Sequence, residues 1–125
     1  MIHGIGTDIV RVDRLQAALD RSGSRFATRI LAPSERPAFD VSRDPARFLA
    51  KRFAAKEAFG KALGTGVAVP ATLHAVSVGH DEAGKPLYEF GEALREYMRE
   101  RGLDAHLSLS DEAEYVLAFA VIEKR

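Results

Sequence analysis

One segment of the sequence, from Asp44 to Gly64, most narrowly limits what this chain can fold into. Asp44 is a good N-cap residue, Pro45 suits the first turn of a helix, and Gly64 suits its C-terminal end. The interior is rich in alanine, which favours helix. The exception is Gly60, which we expect to leave room for a ligand or a neighbouring backbone. The segment therefore predicts one long helix.

Shorter helices and five strands are predicted on either side of this helix. Apolar residues recur at helical spacing in three further segments, which we expect to end near Gly23, Leu31 and Gly102. Alternating or continuous apolar runs indicate the strands. The predicted strands cover residues 2–10, 73–79, 86–90, 105–110 and 115–123.

The last predicted strand is apolar on both faces. Its sequence from Tyr115 to Ile122 is YVLAFAVI, and such a strand in an antiparallel sheet needs cover on both sides. A chain of 125 residues has one helical layer to offer. We therefore expect a second copy of the chain to cover the other face.

Charge is divided unevenly along the chain, although the formal net charge is zero. Residues 11–61 hold 12 Lys and Arg against 6 Asp and Glu, and the remainder holds 6 against 12. A basic first half predicts an anionic partner, unless the charges intermingle on folding. We expect no nucleic acid partner, because the sequence has no stripe of aromatic and basic residues and no known binding module.

Composition excludes several classes of protein. The chain has no cysteine, which excludes disulfides and thiolate metal sites. No apolar run approaches the roughly 20 residues that span a bilayer, and the N-terminus lacks the basic segment of a signal peptide. We therefore expect a single cytoplasmic domain over residues 1–125 with no membrane partner.

The long helix carries an acid and a base ahead of a glycine loop. Glu57 and Lys61 are four residues apart and share a helix face. Gly64 and Gly66 follow at once, where backbone can approach a ligand closely. The pattern fits a phosphate site, and on spacing alone the commoner explanation is a solvated ion pair at a helix end.

A second acid, Asp8, lies on the first predicted strand. Gly4 and Gly6 share its face, while Ile5 and Ile9 lie on the other. Two glycines beside an acid indicate open space for close approach of backbone or ligand. The alternative is an aspartate that merely ends the strand.

Four motifs occur in order along the chain: GIGTDIV at 4–10, FAAKEAFGKALGTG at 53–66, GKP at 84–86 and HLSLSD at 106–111. Together they resemble the bacterial holo-acyl-carrier-protein synthases, the small 4′-phosphopantetheinyl transferases, over essentially the full length. The resemblance implies an α+β fold in which an antiparallel sheet packs on one long helix plus shorter helices. This fold agrees with the predicted elements.

The resemblance also implies a reaction. Family members move the 4′-phosphopantetheine arm of coenzyme A to a serine of apo-acyl carrier protein, and the second product is adenosine 3′,5′-bisphosphate. They require Mg²⁺ and are commonly homotrimers with active sites between subunits.

Two acids and a lysine match the central motifs of the family. The resemblance makes Asp8 and Glu57 magnesium ligands, and Mg²⁺ does favour one or two carboxylates with phosphates and waters. Lys61 matches a lysine near the diphosphate. It would either stabilise negative charge in the transition state or take the serine proton as a neutral amine. Glu57 and a metal-bound water are the other candidates for the base.

The remaining motif positions are expected to bind coenzyme A. The resemblance places Gly64 and Gly66 against the nucleotide and Lys85 near a phosphate, although GKP is also an ordinary hairpin tip. His106 and Ser108 lie on the polar face of their strand, where they would donate to phosphate oxygens.

Three arginines form a separate hypothesis. Arg14, Arg21 and Arg25 approximate one face of the first helical segment, and acyl carrier proteins are strongly acidic. The resemblance implies that this helix docks the carrier, so we expect these arginines to bind it.

Two other functions share these residues. A metal-dependent hydrolase of nucleotides would use the same carboxylates with water as the nucleophile. A module that binds coenzyme A or a carrier would use the same surface without chemistry.

Overall fold

The computed structural model describes residues 1–125, which form five strands, five helices and one 3₁₀ turn at Pro33–Glu35. The strands are β1 (Ile2–Arg11), β2 (Val76–His80), β3 (Pro86–Phe90), β4 (Leu103–Asp111) and β5 (Tyr115–Lys124). The helices are α1 (Val12–Ser22), α2 (Ser24–Ile30), α3 (Arg36–Asp40), α4 (Pro45–Leu63) and α5 (Glu92–Glu100).

The strands form two antiparallel sheets rather than one. Three strands pair in the order β1-β5-β4, and β2 and β3 form a separate hairpin. Helix α4 packs across one face of the three-stranded sheet and also contacts β2. The α+β prediction is confirmed, with the sheet divided in two.

Helix α4 begins and ends at the predicted residues. The side chain of Asp44 accepts a hydrogen bond from the backbone N–H of Arg47 at 3.2 Å, which satisfies one of the free amides of the first turn. Gly64 follows the helix with a φ of 93°, a conformation that glycine adopts without strain. Local signals therefore fix the length of the central helix.

Glycines in β1 let the strand lie directly against α4. A Cβ atom on Gly6 would overlap the carbonyl oxygen of Ala58, and one on Gly4 would overlap that of Ala62. The space predicted beside Asp8 is therefore filled by the backbone of the protein's own helix, which is one of the two occupants expected. Asp8 follows on the same face of β1 and is brought to the helix as a result.

The other face of the three-stranded sheet has no cover within the chain. Ile5 and Ile9 of β1 are 61% and 59% exposed, and Leu117 and Phe119 of β5 are both 37% exposed. The neighbouring β5 side chains that face α4 are fully buried, including Val116. The second apolar face predicted for the last strand is thus present and open.

Two local features differ from the prediction. Strand β2 begins at Val76 rather than at residue 73, because the N–H groups of Ala75 and Val76 bond to the carbonyl of Thr72 in a turn. The 3₁₀ turn and α3 were not predicted, although a proline lies in the first turn of each. No helix is both long enough and apolar enough to cross a bilayer.

Candidate active site

Two acids from different elements lie close together between β1 and α4. Burial is the largest cause that raises the pKa of Glu57, and the negative charge of Asp8 raises it further, while Lys61 lowers it. Burial also raises the pKa of Asp8, against a lowering by Lys61 and then by Arg14. The pair thus carries negative charge that its surroundings compensate only in part.

Lys61 interacts with β1 rather than with Glu57. Its ammonium donates to the backbone carbonyl of Thr7 at 2.8 Å and lies 3.5 Å from Oδ1 of Asp8. No ion pair joins Lys61 to Glu57, one turn earlier on the same helix. The solvated Glu57–Lys61 ion pair that the spacing suggested does not form. Lys61 instead lies beside Asp8.

The acid pair fits a magnesium ion whose remaining ligands come from the substrate. No group of three or more His, Asp or Glu side chains is placed to hold a metal. Mg²⁺ is usually bound by one or two carboxylates, with substrate phosphates and waters completing the octahedron. Asp8 and Glu57 supply carboxylates for that donor set, and a bound cation would offset the burial and the Asp8 charge that raise the pKa of Glu57.

The glycine loop is folded tightly over the end of α4. The N–H groups of Gly64, Thr65 and Gly66 all bond to the carbonyl of Gly60, at 3.0, 3.2 and 3.0 Å. A Cβ atom on Gly60 would lie 2.6 Å from the carbonyl carbon of Gly66. Gly60 therefore makes room for the neighbouring backbone of Gly66. Because the loop amides are already bonded to Gly60, the loop would contact a nucleotide by van der Waals packing and not by donating hydrogen bonds.

His106 and Ser108 lie on the other face of the sheet from Asp8. They are exposed on β4, and Nε2 of His106 is 2.6 Å from Oε1 of Glu123 on β5. Side chains on the two faces of a sheet point apart, and β5 lies between β4 and β1. Within one chain, these two residues are not brought together with the acids.

Lys85 lies at the tip of the β2–β3 hairpin. Its backbone N–H bonds to Oδ1 of Asp81 at 2.8 Å, and its ammonium forms no hydrogen bond or ion pair within the chain. The GKP sequence therefore does form the tip of a hairpin. The Lys85 side chain remains available to a ligand.

An apolar groove rimmed by arginines opens between α1, α2 and α4. It has a volume of about 420 Å³ and is lined by Arg14, Arg21 and Arg29 together with apolar side chains that include Phe26 and Phe53. Arg25 joins Arg29 around a smaller adjoining cleft. We call this surface, with its four arginines, the arginine groove.

The arginine groove adjoins the acid site. Arg14 is near enough to lower the pKa of Asp8, and none of the four arginines forms an ion pair within the chain. Sequence reasoning found three of them but missed Arg29, which continues the helical spacing four residues after Arg25. The apolar residues at the bottom of the groove were also not predicted as a site, because three helices contribute them and only the tertiary structure brings them together.

The chain matches known proteins over its whole length. The sequence model of the 4′-phosphopantetheinyl transferase superfamily matches residues 4–120. The holo-[acyl-carrier-protein] synthase of Aromatoleum aromaticum is 74% identical over 125 residues, which is 100% of both chains. That of Vibrio cholerae is 48% identical, again over 100% of both.

Solved structures with the same fold include complexes with coenzyme A. The crystal structure of holo-[acyl-carrier-protein] synthase from Neisseria meningitidis has a TM-score of 0.95 at 47% identity, covering 99% of this chain and 100% of that one. The Bacillus anthracis synthase, in complex with CoA (3′,5′-ADP), has a TM-score of 0.84 at 34% identity, covering 100% and 99%.

Removing one acid should stabilise the protein in the absence of metal. Because the pKa of Glu57 is raised on folding, the folded protein holds that proton to higher pH than the unfolded chain, and stability falls as pH rises through that interval. We expect Glu57→Gln to raise the Tm at pH 7 in buffer with a chelator. The gain should vanish below about pH 4, where the carboxyl is protonated in both states.

Circular dichroism melts between about pH 3 and pH 8 measure this effect. Glu96→Gln is the matched control, because a hydrogen bond from Arg99 lowers the pKa of Glu96 and its neutralisation should give no gain. A Tm for Glu57→Gln that is equal to or below that of the wild type at pH 7 would contradict the expectation.

Proposed function

Because the chain belongs to the 4′-phosphopantetheinyl transferase superfamily, we propose that Asp8, Glu57 and Lys61 serve the transfer of the phosphopantetheine arm of coenzyme A to a serine of apo-acyl carrier protein. Its full-length similarity to the holo-[acyl-carrier-protein] synthases makes the chain an enzyme of that kind. The observation that carries the residue assignment is the incompletely neutralised acid pair, with its lysine, beside the arginine groove.

The reaction is a phosphoryl transfer. The serine hydroxyl oxygen attacks the phosphorus that bears pantetheine, and the bond from that phosphorus to the bridging diphosphate oxygen breaks. Adenosine 3′,5′-bisphosphate leaves with the bonding electrons, and the serine loses its proton. Catalysis of this kind is mostly positioning and stabilisation of charge.

Lys61 stabilises the charge that develops on the leaving bisphosphate. Its ammonium already donates to the Thr7 carbonyl and lies beside Asp8, and with 54% of the side chain exposed it is free to reach a phosphate. These contacts favour the cationic role over that of a neutral base. We assign removal of the serine proton to Glu57, directly or through a bound water.

Asp8 and Glu57 would hold Mg²⁺. When bound, the ion supplies positive charge against the diphosphate oxygens. The two carboxylates would hold the ion beside the arginine groove, whose Arg14 is near Asp8, and the carrier serine would be presented from that groove.

Coenzyme A binds between subunits of a homotrimer. Gly64 and Gly66 pack against the nucleotide next to the acids, and Lys85 contributes a cation. His106 and Ser108 come from the outer face of a neighbouring subunit's sheet, since in their own chain they point away from Asp8. The open apolar face around Ile9 and Phe119 supports this assembly.

The arginine groove binds the carrier. Its unpaired arginines, Arg14, Arg21, Arg25 and Arg29, match an acidic protein, and its apolar floor accepts a nonpolar side chain. Its proximity to Asp8 would place the carrier serine near the diphosphate.

The transfer itself is tested by weighing the carrier. With apo-carrier, coenzyme A and Mg²⁺, we expect the wild type to add one phosphopantetheine arm, and a chelator to stop the reaction until Mg²⁺ is restored. Glu57→Gln and Lys61→Met should each lower kcat by about 100-fold or more, because they remove charges that act in the transition state. Glu96→Gln should retain full activity.

The same assay separates the other functions. Bisphosphate released without any gain in carrier mass would indicate a hydrolase. Binding of coenzyme A with neither product would indicate a binding module, and either result would overturn the proposal.

Charge reversal in the arginine groove should weaken carrier binding selectively. We expect Arg21→Glu to raise the KM for the carrier by about 10-fold or more and to leave the KM for coenzyme A unchanged, since a reversed charge repels an acidic partner. Steady-state kinetics at low and high salt measure this. Arg99→Glu on α5 is the control, and an unchanged carrier KM in Arg21→Glu would refute the docking site.

The homotrimer is tested by sedimentation. We expect a species of three times the 13.7 kDa chain at micromolar concentration. Phe119→Glu should dissociate it and abolish transfer, because a charge at the apolar sheet face is costly to bury. Val41→Glu, an 81% exposed position off the sheet, should stay trimeric. A wild type that is monomeric and active would contradict the assembly.

A further inference from the structure

Lys56 is a charged residue in the core of the protein. It is 1% exposed, and its ammonium donates to the carbonyls of Ile30 and Leu73 at 2.7 and 2.8 Å and to Oε1 of Glu35 at 2.6 Å. All three N–H donors of the ammonium are therefore used. The acceptors belong to the end of α2, the loop before β2 and the 3₁₀ turn.

Glu35, on the 3₁₀ turn, links that turn to β2 and to α4. It is 3% exposed, and its Oε1 accepts from the N–H of Ala32 at 2.9 Å while its Oε2 accepts from the N–H of Val78 at 3.0 Å. Arg52 of α4 lies 3.6 Å from the same Oε2. One carboxylate thus holds α4 at Arg52 and at Lys56, two points one turn apart.

These contacts fix the rotation of α4 about its axis and its position along that axis. A helix held at two points one turn apart resists rotation about its axis and sliding along it. Glu57 is the next residue after Lys56, about 100° around the helix. Strand β1 packs through Gly4 and Gly6 on Ala58 and Ala62, about 200° or more around the helix from Lys56, so α4 lies between the ion pair and the strand.

We propose that the buried Glu35–Lys56 ion pair is a positioning device for catalysis, acting through α4 on Glu57 and Lys61. Stability alone is a weak reason for it, because well-packed apolar residues often replace a buried ion pair at no loss. Apolar contacts are non-directional, whereas this pair has fixed partners on three segments. This proposal rests on the proposed function, because it assumes that Glu57 and Lys61 act in the transfer.

Two near-isosteric substitutions test it, with apo-carrier, coenzyme A and Mg²⁺ as the assay. We expect Lys56→Met and Glu35→Gln each to lower kcat by about 10- to 100-fold, since a small misplacement of a catalytic group has effects of that size. In Glu35→Gln the KM for the carrier should stay within about 2-fold, whereas Lys56→Met also removes contacts to Ile30 and Leu73, which line the arginine groove, so the KM comparison is made on Glu35→Gln. The double variant should be no slower than the slower single variant, since both break one link.

Two controls separate positioning from loss of stability. Leu94→Ala removes a buried side chain of α5, a helix that supplies no hydrogen-bond partner to Lys56 or Glu35. It should lower the Tm and keep kcat within about 2-fold of the wild type at a temperature where it is folded. Lys51→Met makes the same substitution on the same helix, where Lys51 pairs with Asp111 at the surface. It should keep its activity.

Each result decides the question. Wild-type kcat in both ion-pair variants, or an equal loss of kcat in Leu94→Ala, would overturn the inference. If Lys56→Met does not fold, Glu35→Gln decides alone, because glutamine keeps the shape of the side chain. A wild type that fails to modify the carrier would instead overturn the proposed function.

Discussion

The close packing of β1 on α4 is the contact on which the rest of the structure depends. Gly4 and Gly6 have no side chain to separate the two backbones, and the carbonyl oxygens of Ala62 and Ala58 lie directly opposite them. Any larger residue in the strand would push it away from the helix. Because the two elements meet without intervening side chains, an acid from the strand and an acid from the helix lie near each other at the edge of the contact.

The electrostatics of the site follow from that packing. Asp8 and Glu57 are brought near each other by backbone contacts, and burial, with a smaller contribution from the charge of Asp8, raises the pKa of Glu57. Burial raises the pKa of both carboxyls, and Lys61 lowers each of them by a smaller amount. A site of this kind favours a bound cation, and the arginine groove beside it favours an acidic partner. The acid site and the arginine groove thus favour binding partners of opposite charge, although they adjoin each other.

Helix α4 links the two sides of the molecule. Its face towards the three-stranded sheet is lined by alanine and carries the acid site at its edge, while its other side is tied to the β2–β3 hairpin by Arg52 and Lys56. The outer face of the sheet remains apolar and open. His106 and Ser108 lie on that face, away from Asp8. They would join the acids in one site only through the assembly of subunits.

Much of this protein is determined by its sequence alone. The ends of α4, the β2–β3 hairpin and the apolar second face of β5 were predictable, because capping, turns and periodicity are local properties of the chain. The roles of Asp8, Glu57 and Lys61 were inferred from the family motifs and stay predictions. Other features were decided by the tertiary structure. Lys61 pairs with Asp8 instead of Glu57, and Lys56, one more lysine in a helical pattern, is buried against Glu35. Which neighbour a charged side chain meets depends on contacts between residues distant in sequence, and these exist only once strand and helix have packed.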